Sequence, residues 1–426
     1  MRVPLSKRVM DSFVVRQGSI MLGGQISLAL FKLAALWLIA RLLGPDVQGA
    51  FSLASAGTAA GAILFCVGLE YANAYIVGRN REVLSAVASN SLMVFAVSLV
   101  AAPLWATAFV QLFPHVATPL GAQHLWIAIT AIGLATSLLS LAQGLQASAI
   151  GLHDFRSVAV ANLASGLVWA LGALVGTRIG YGAILWAVCV SHLVLVLAYL
   201  RRQAPSIRDF RIARDVLRSQ LHYGARTLPG SIARSLNMRA PLYIVAVYLT
   251  TTEVGVFGLV LSLAETMLYL PSALSQVALG LAATKSRQSS ELRYVYLAIL
   301  VVGITLSAAV AFLGSTVLRW IFGPAYASGS GALAILILAV TAHSVGLLRI
   351  HTLYGRGEPA AASIAQIIAL CLTLAGSILL IPRYRLLGAA LSMLLTYVGF
   401  VLYLIALPRS RKSSDVAASE LTVVAS

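Results

Sequence analysis

The sequence predicts an all-α polytopic membrane protein of about 12 transmembrane helices, arranged as two six-helix bundles around a central cavity. Three observations carry that expectation. Of 426 residues, 60% are hydrophobic and only 10% charged, and the mean hydropathy is +0.92, a composition foreign to soluble domains of this size. Apolar runs long enough to span a bilayer alternate with short connections holding Gly, Pro, Asn and Asp, as in Leu43-Gly44-Pro45-Asp46 and Phe322-Gly323-Pro324. One longer polar connection, Arg201 to Arg218, carries six arginines against Asp209 and Asp215 and divides the chain nearly in half.

The first apolar run follows Arg2, Lys7, Arg8 and Arg16, as the core of a signal peptide would. It continues from Ser19 to Ala40 without an A-x-A cleavage site, which predicts a retained first helix. The spans expected in order are 17–40, 50–77, 84–110, 123–149, 158–177, 182–200, 222–248, 256–282, 294–318, 331–352, 360–381 and 386–407. This places an N-terminal bundle in 1–200, a basic linker in 201–218, a C-terminal bundle in 219–408 and a disordered tail in 409–426.

The formal net charge of +17 would suit nucleic acid, but in a polytopic chain basic loops facing anionic lipid account for it. One set of span ends holds Arg79, Arg81, Arg156, the linker arginines, Lys285, Arg287, Arg293, Arg349, Arg356 and Arg409. The opposite ends hold only Arg41, Arg178, Arg319, Arg383 and Arg385. That asymmetry predicts cytoplasmic termini and a cytoplasmic linker. Cys66, Cys189 and Cys371 are far apart inside apolar runs, with no metal or redox spacing, and are expected in the core.

A faint repeat appears at a shift of 206 residues. Leu43, Gly49, Phe51 and Leu53 correspond to Leu249, Gly255, Phe257 and Leu259, and Gly182-Ala183 to Gly388-Ala389. Six spans separate the copies, so the halves would share one orientation about an axis along the membrane normal.

The stretch from Ser219 to Leu249 is the least ordinary span, because it carries Arg226, Arg234 and Arg239 and has natural bend points at Pro229-Gly230 and Pro241. A charge at mid-depth costs at least about 2.5–3.5 kcal/mol on insertion scales, so it should face a wet cavity or a partner. Lys32, nine residues before Arg41, also falls near mid-membrane. Guanidinium groups hold phosphate oxygens in a bidentate way, so Arg239, Arg234, Lys32 and Arg226 are candidate contacts for an anionic diphosphate. Snorkelling to an interface is the alternative for each; it is the preferred account for Arg226 and Arg41 and the lesser one for Arg234, Lys32 and Arg239. Glu265 and Glu70 are candidate coupling or charge-balancing acids. Glu265, near the middle of the eighth span, could neutralise a span-seven arginine or be a structural carboxyl. Glu70, with Tyr71, Asn73 and Arg79 near the cytoplasmic end of the second span, is better read as an interfacial residue. His343 and His192 could relay protons but suit neutral packing better. Arg349, His351 and Arg356 cluster at the cytoplasmic end of the tenth span, where they could meet a phosphate head group, although a positive-inside anchor explains them without one. Gly57-x-x-x-Gly61 and Gly172-x-x-x-Gly176 permit close helix packing.

The stretches ALWLIARLLGPDVQGAFSLA (35–54), SLNMRAPLYIVAVYLTTTEVGVFGLVLSLAE (235–265), LYGRGEP (353–359) and IPRYRLLGAALSMLLTYV (381–398), taken in that order, resemble the bacterial oligosaccharide flippases of the polysaccharide-transporter family. The resemblance implies a two-lobed exporter in the bacterial inner membrane. It would move polyprenyl-diphosphate-linked oligosaccharide repeat units from the cytoplasmic to the periplasmic face for lipopolysaccharide or exopolysaccharide synthesis, beside polymerases and glycosyltransferases of that pathway. The wider superfamily includes the lipid II flippases and the multidrug-and-toxin-extrusion exporters. Members often read Asn-x-Arg-x-Asp in the seventh span, whereas here Asn237-x-Arg239 is followed by Pro241, so Arg239 lacks that local carboxylate.

No enzyme signature is present: no phosphate-cradling Gly-rich loop with a Lys, no HExxH and no G-x-S-x-G. No cofactor or metal is expected. A membrane polymerase or ligase would usually carry a long external loop, and the outer loops here are short. A cation-coupled exporter of small molecules would favour acids in the first span, where Lys32 stands. The flippase is therefore the preferred expectation, with Arg239, Arg234 and Lys32 converging on one cavity from opposite halves of the chain.

Overall fold

In hydrocarbon no water satisfies the backbone, so an apolar chain must pair its own N–H and C=O groups, and helices do this within each segment. The computed structural model describes residues 7–207, 213–269, 271, 272, 275, 292–356 and 359–406. Among these residues the chain is helical apart from short connections. The expected tail 409–426, the linker charges at 208–212, and Lys285 and Arg287 lie outside the described residues.

Helix α1 (7–43) passes into α2 (45–79) at Gly44, whose φ of +81° and ψ of 177° end the first helix before Pro45. A second break within α2 sets Val67 at φ +51° and Gly68 at φ +76°, after which Leu69–Arg79 completes the span. Left-handed geometry is costly for a β-branched residue such as Val67. Then follow α3 (Leu84–Leu112), α4 (Leu125–Gly151), α5 (Phe155–Ile179), α6 (Tyr181–Ile207) and α7 (Arg214–Tyr248). The second half continues with α8 (Thr251–Glu265), α9 (Leu292–Ile321) and α10 (Ser330–Arg356). The continuous segment Pro359–Ala406 divides at Arg385, φ +52°, into α11 (359–384) and α12 (386–406).

Nine helical stretches among the described residues are long and apolar enough to cross a membrane, and two of them, Ser19–Cys66 and Ala360–Ala406, run to 48 and 47 residues. At about 1.5 Å per residue each is long enough for two crossings of a core about 30 Å thick. Together with α7, too polar to be counted among the nine, they make the twelve expected spans. The helices run past most of the expected boundaries. The start of α8 moves from 256 to Thr251, where Thr250 and Glu253 form a reciprocal capping box; the expected end of that span at 282 lies outside the described residues.

The twelve helices form two six-helix bundles, α1–α6 and α7–α12, each packed mainly within itself. The connections are tied locally. Asp154 caps α5 through Ser157 and pairs with Arg202 at 2.8 Å. Burial raises the Asp154 carboxyl, but bonds from Arg202 and Ser157 outweigh that and hold it below its ordinary range. Glu253 binds Arg385 at 2.7 Å, fixing the joint between α11 and α12 to the start of α8. Gly172 and Gly176 meet Ala187 and Ile184, so α5 and α6 approach closely as their spacing predicts. Cys66 and Cys189 are buried but Cys371 is exposed, which corrects the expectation of three core cysteines. Apolar surroundings in a membrane span include lipid, so an apolar context does not imply burial.

The bundles touch at two levels. At the end remote from the basic linker, here the far end, α2 packs on α8 so closely that Gly49 lies against Gly255, and Gly255 against the Pro45 carbonyl. Asp46 accepts from Thr252 at 2.8 Å, Trp37 donates to the Ile321 carbonyl and Ser52 abuts Gly258. Asp46–Thr252, Gly49–Gly255 and Ser52–Gly258 are each separated by the 206-residue repeat shift, so copies of one motif face each other. A Cβ at Gly255 has no room, whereas Gly23 on α1 has nothing within 4 Å. We therefore expect Gly255→Ala to cost about 1–3 kcal/mol through overpacking, seen as a lower melting temperature of the purified protein in detergent. Gly23→Ala should leave melting unchanged; equal melting of the two variants would contradict the α2–α8 contact.

Candidate functional site

Helix α7 supplies the polar residues of the middle of the molecule. It runs unbroken through both Pro229 and Pro241 and packs against α2 in one bundle and α11 and α12 in the other. Beside it, between the bundles, lies a cavity of about 230 Å³. Its wall takes Glu70 and Tyr71 from α2, Gln143, Gln146, Ala147 and Ile150 from α4, and Arg234 and Met238 from α7. Leu268 and Ser272, beyond α8, and His343, Leu347 and His351 of α10 complete it.

Arg234 and Glu70 come from opposite halves and stand 3.7 Å apart, with the Glu70 side chain 11% exposed. Glu70 also accepts from the Ser231 hydroxyl at 2.6 Å, so its position is fixed by one turn of α7. Arg239 lies about 7.5 Å further along the same helix and is absent from the wall. Its guanidinium grips Glu265 of α8 through both nitrogens, at 2.9 and 3.0 Å. The local carboxylate missing from the seventh span is thus replaced by one from the next helix.

The expected convergence of Arg239, Arg234 and Lys32 on one cavity is not what the structure shows. Lys32 is exposed and outside the wall. The expectation treated α1 and α7 as equivalent by the repeat, but α1 packs chiefly on α5, and the N-terminal half gives α2 and α4 to the cavity instead. Arg226 is likewise exposed, eight residues or about 12 Å from Arg234 toward the linker end. Of the four candidate anion contacts, Arg234 alone lines the cavity.

Other wall residues went unrecognised in the sequence. The sequence places His351 in an end-of-span cluster with Arg349 and Arg356; in the structure it is buried, lines the cavity and lies 5.9 Å from the Tyr71 ring. The Arg356 side chain lies outside the described residues. His343 does pack, on Tyr397 at 4.5 Å and Phe400 at 5.9 Å, yet it also reaches the cavity, whereas His192 is not part of the wall. Gln143 and Gln146, one helical turn apart in an otherwise apolar span, were the available signal for α4. Among the described residues, Gln143 Oε1, Arg234 Nε, His343 Nδ1 and His351 Nδ1 are buried with no hydrogen-bond partner.

On the linker side of the cavity the bundles are held by carboxamides and tyrosines. Gln220 of α7 donates to Asn73 of α2 at 2.7 Å and accepts from Asn90 of α3 at 2.7 Å. Asn73 donates in turn to Ser91 and to the Gly144 carbonyl. Tyr71 stacks on Tyr354 at 4.1 Å and Tyr75 on Tyr223 at 4.6 Å, and the Tyr223 hydroxyl donates to the Tyr354 carbonyl. Gly68 at the break of α2 presses on Gly224.

A family model described as polysaccharide biosynthesis protein matches residues 38–330. No curated protein matches the chain. Among solved structures, the eukaryotic MATE transporter AtDTX14 is 14% identical with a TM-score of 0.76, covering 96% of this chain and 98% of that one. The MATE transporter VcmN of Vibrio cholerae is 13% identical with a TM-score of 0.65, covering 92% and 95%. A MOP superfamily transporter from Pyrococcus furiosus is 17% identical at a TM-score of 0.65, covering 92% and 93%. At these identities the likeness is one of fold.

The closed Arg239–Glu265 pair leads to a stability prediction. Removing one member leaves a charge unpaired in a dry setting, at a cost of roughly 3–5 kcal/mol. Arg239→Gln should therefore lower the melting temperature and expression of the protein, and Arg239→Gln with Glu265→Gln should recover most of the loss. A double variant no more stable than the single one would show that the pair is not the reason.

Proposed function

The chain belongs to the polysaccharide biosynthesis protein family, and from that premise we propose that it is a flippase. In this reading it carries polyprenyl-diphosphate-linked oligosaccharide repeat units from the cytoplasmic to the periplasmic face of a bacterial inner membrane. The observation that carries the reading is the polar cavity at the junction of two six-helix bundles, with bundle-to-bundle contacts on both of its sides. Such an arrangement suits alternating access, in which one set of contacts opens while the other holds. The basic end, where α6 ends and α7 begins, would be cytoplasmic.

On this reading cargo enters at the linker end, where exposed Arg226 meets the lipid diphosphate before its head group reaches the cavity. Outward movement of an anion from a negative interior is downhill by about 2.3 kcal/mol per charge per 100 mV, so membrane potential can drive export without nucleotide. Polymerases and glycosyltransferases that use the same lipid-linked unit are the proposed partners. A cation-coupled exporter is less well supported, because Glu70 and Glu265 are both engaged by arginines.

Lipid analysis of a deletion strain tests the function. Inward-facing lipid-linked oligosaccharide should accumulate; if the unpolymerised unit reaches the periplasmic face instead, the chain is acting after translocation, as a polymerase or ligase would. Arg226→Gln in the complemented strain should slow export several-fold at normal membrane levels, and wild-type export would remove Arg226 from the path.

A further inference from the structure

The central cavity has the wrong charge balance for a diphosphate. Among the described residues its one arginine faces its one glutamate at 3.7 Å, and Glu70 would repel any oxyanion placed on Arg234. The second deep arginine, Arg239, is already committed to Glu265 with both nitrogens. A phosphate site needs converging donors and surplus positive charge, and the described part of the lining offers neither.

What it does offer is a balanced set of donors and acceptors. Beside the Arg234–Glu70 pair the wall carries the carboxamides of Gln143 and Gln146, the Ser272 hydroxyl and the imidazoles of His343 and His351, which donate or accept according to tautomer. A cavity lined in this way must meet both donors and acceptors with whatever fills it. Water answers both donors and acceptors, and so does an alcohol. A sugar hydroxyl can replace a bound water bond for bond, whereas a phosphate oxygen accepts only and conflicts with the Glu70 carboxylate. The volume, about 230 Å³, is below the roughly 300–1,000 Å³ of sites for drug-sized ligands, and so suits one ring rather than an oligosaccharide. Tyr71 adds an aromatic ring to the same wall.

We propose that this cavity is a subsite for one uncharged sugar ring of the cargo, held by Glu70, Gln143, Arg234, His343 and His351, while the diphosphate stays toward the linker end. The origin of the sugar rests on the flippase reading; the chemistry of the subsite does not. The experiment is calorimetric titration of the purified full-length protein in detergent with D-glucose, D-galactose, N-acetylglucosamine and L-rhamnose, and separately with inorganic pyrophosphate. At least one neutral sugar should bind, and pyrophosphate should not. Glu70→Gln keeps the shape and the bond from Ser231 but removes the charged acceptor, and should weaken the sugar about tenfold. Gln143→Leu, whose melting profile guards against misfolding, should weaken it as well. Pyrophosphate that binds the wild type, binds more tightly to Glu70→Gln and is lost in Arg234→Gln would overturn the proposal, as would failure of every sugar in the panel. The two readings fail separately. Pyrophosphate binding in a protein whose deletion strain accumulates lipid-linked oligosaccharide removes the sugar subsite and leaves the flippase. Sugar binding without that accumulation does the reverse.

Discussion

A formal charge cannot be left alone in hydrocarbon, and the middle of this molecule is arranged around that constraint. Arg234 and Arg239 lie five residues apart on one helix, and each is answered by a carboxylate from a different helix, Glu70 on α2 and Glu265 on α8. The two pairs do different things because of where their partners sit. Glu265 belongs to the same bundle as Arg239, so that pair is internal and closed. Glu70 belongs to the other bundle, so the Arg234 pair spans the junction and keeps a polar cavity open beside it. Separating the bundles would break the second pair and leave the first intact.

Much of the fold could be read directly from the residues. The alternation of apolar runs and short Gly- and Pro-containing joints gave the twelve spans, because satisfying the backbone in lipid leaves helix as the default. The repeat was visible as a few matched residues, and the structure shows why those persist: Gly49 and Gly255 pack on each other, and Asp46 and Thr252 share a hydrogen bond. Residues near a pseudo-two-fold axis meet their own counterparts, so each must fit the other. The site was less legible. Arg234 stood out because a charge in an apolar run is conspicuous, but the face that α1 turns to its neighbours depends on packing against α5, which no local pattern encodes. Glu265 could be read as an acid answering a span-seven arginine, and it does answer Arg239, whereas His351 looks like an end-of-helix residue because its burial comes from the other bundle.

The two sets of bundle contacts are physically unlike. At the far end the helices meet mainly through glycine and small side chains, with backbone against backbone beside the Asp46–Thr252 and Trp37–Ile321 bonds, so contact there depends chiefly on shape and is lost together when the helices move apart. At the linker end the contact is made by Gln220, Asn73 and Asn90 and by stacked tyrosines. Each carboxamide bond is worth only about 0.5–1.5 kcal/mol net, because water can take its place. A groove opening at that end would wet these groups rather than strand them. In the proposed cycle this makes the linker side the easier one to open without cargo, and the far side the one that needs cargo binding to separate it. The break at Val67 and Gly68 lies between these regimes, where α2 presses on Gly224 next to Glu70. A shift of the Leu69–Arg79 segment about that break would move Glu70, Tyr71, Asn73 and Tyr75 together, and so couple the cavity wall to the linker-side contacts through one short piece of helix.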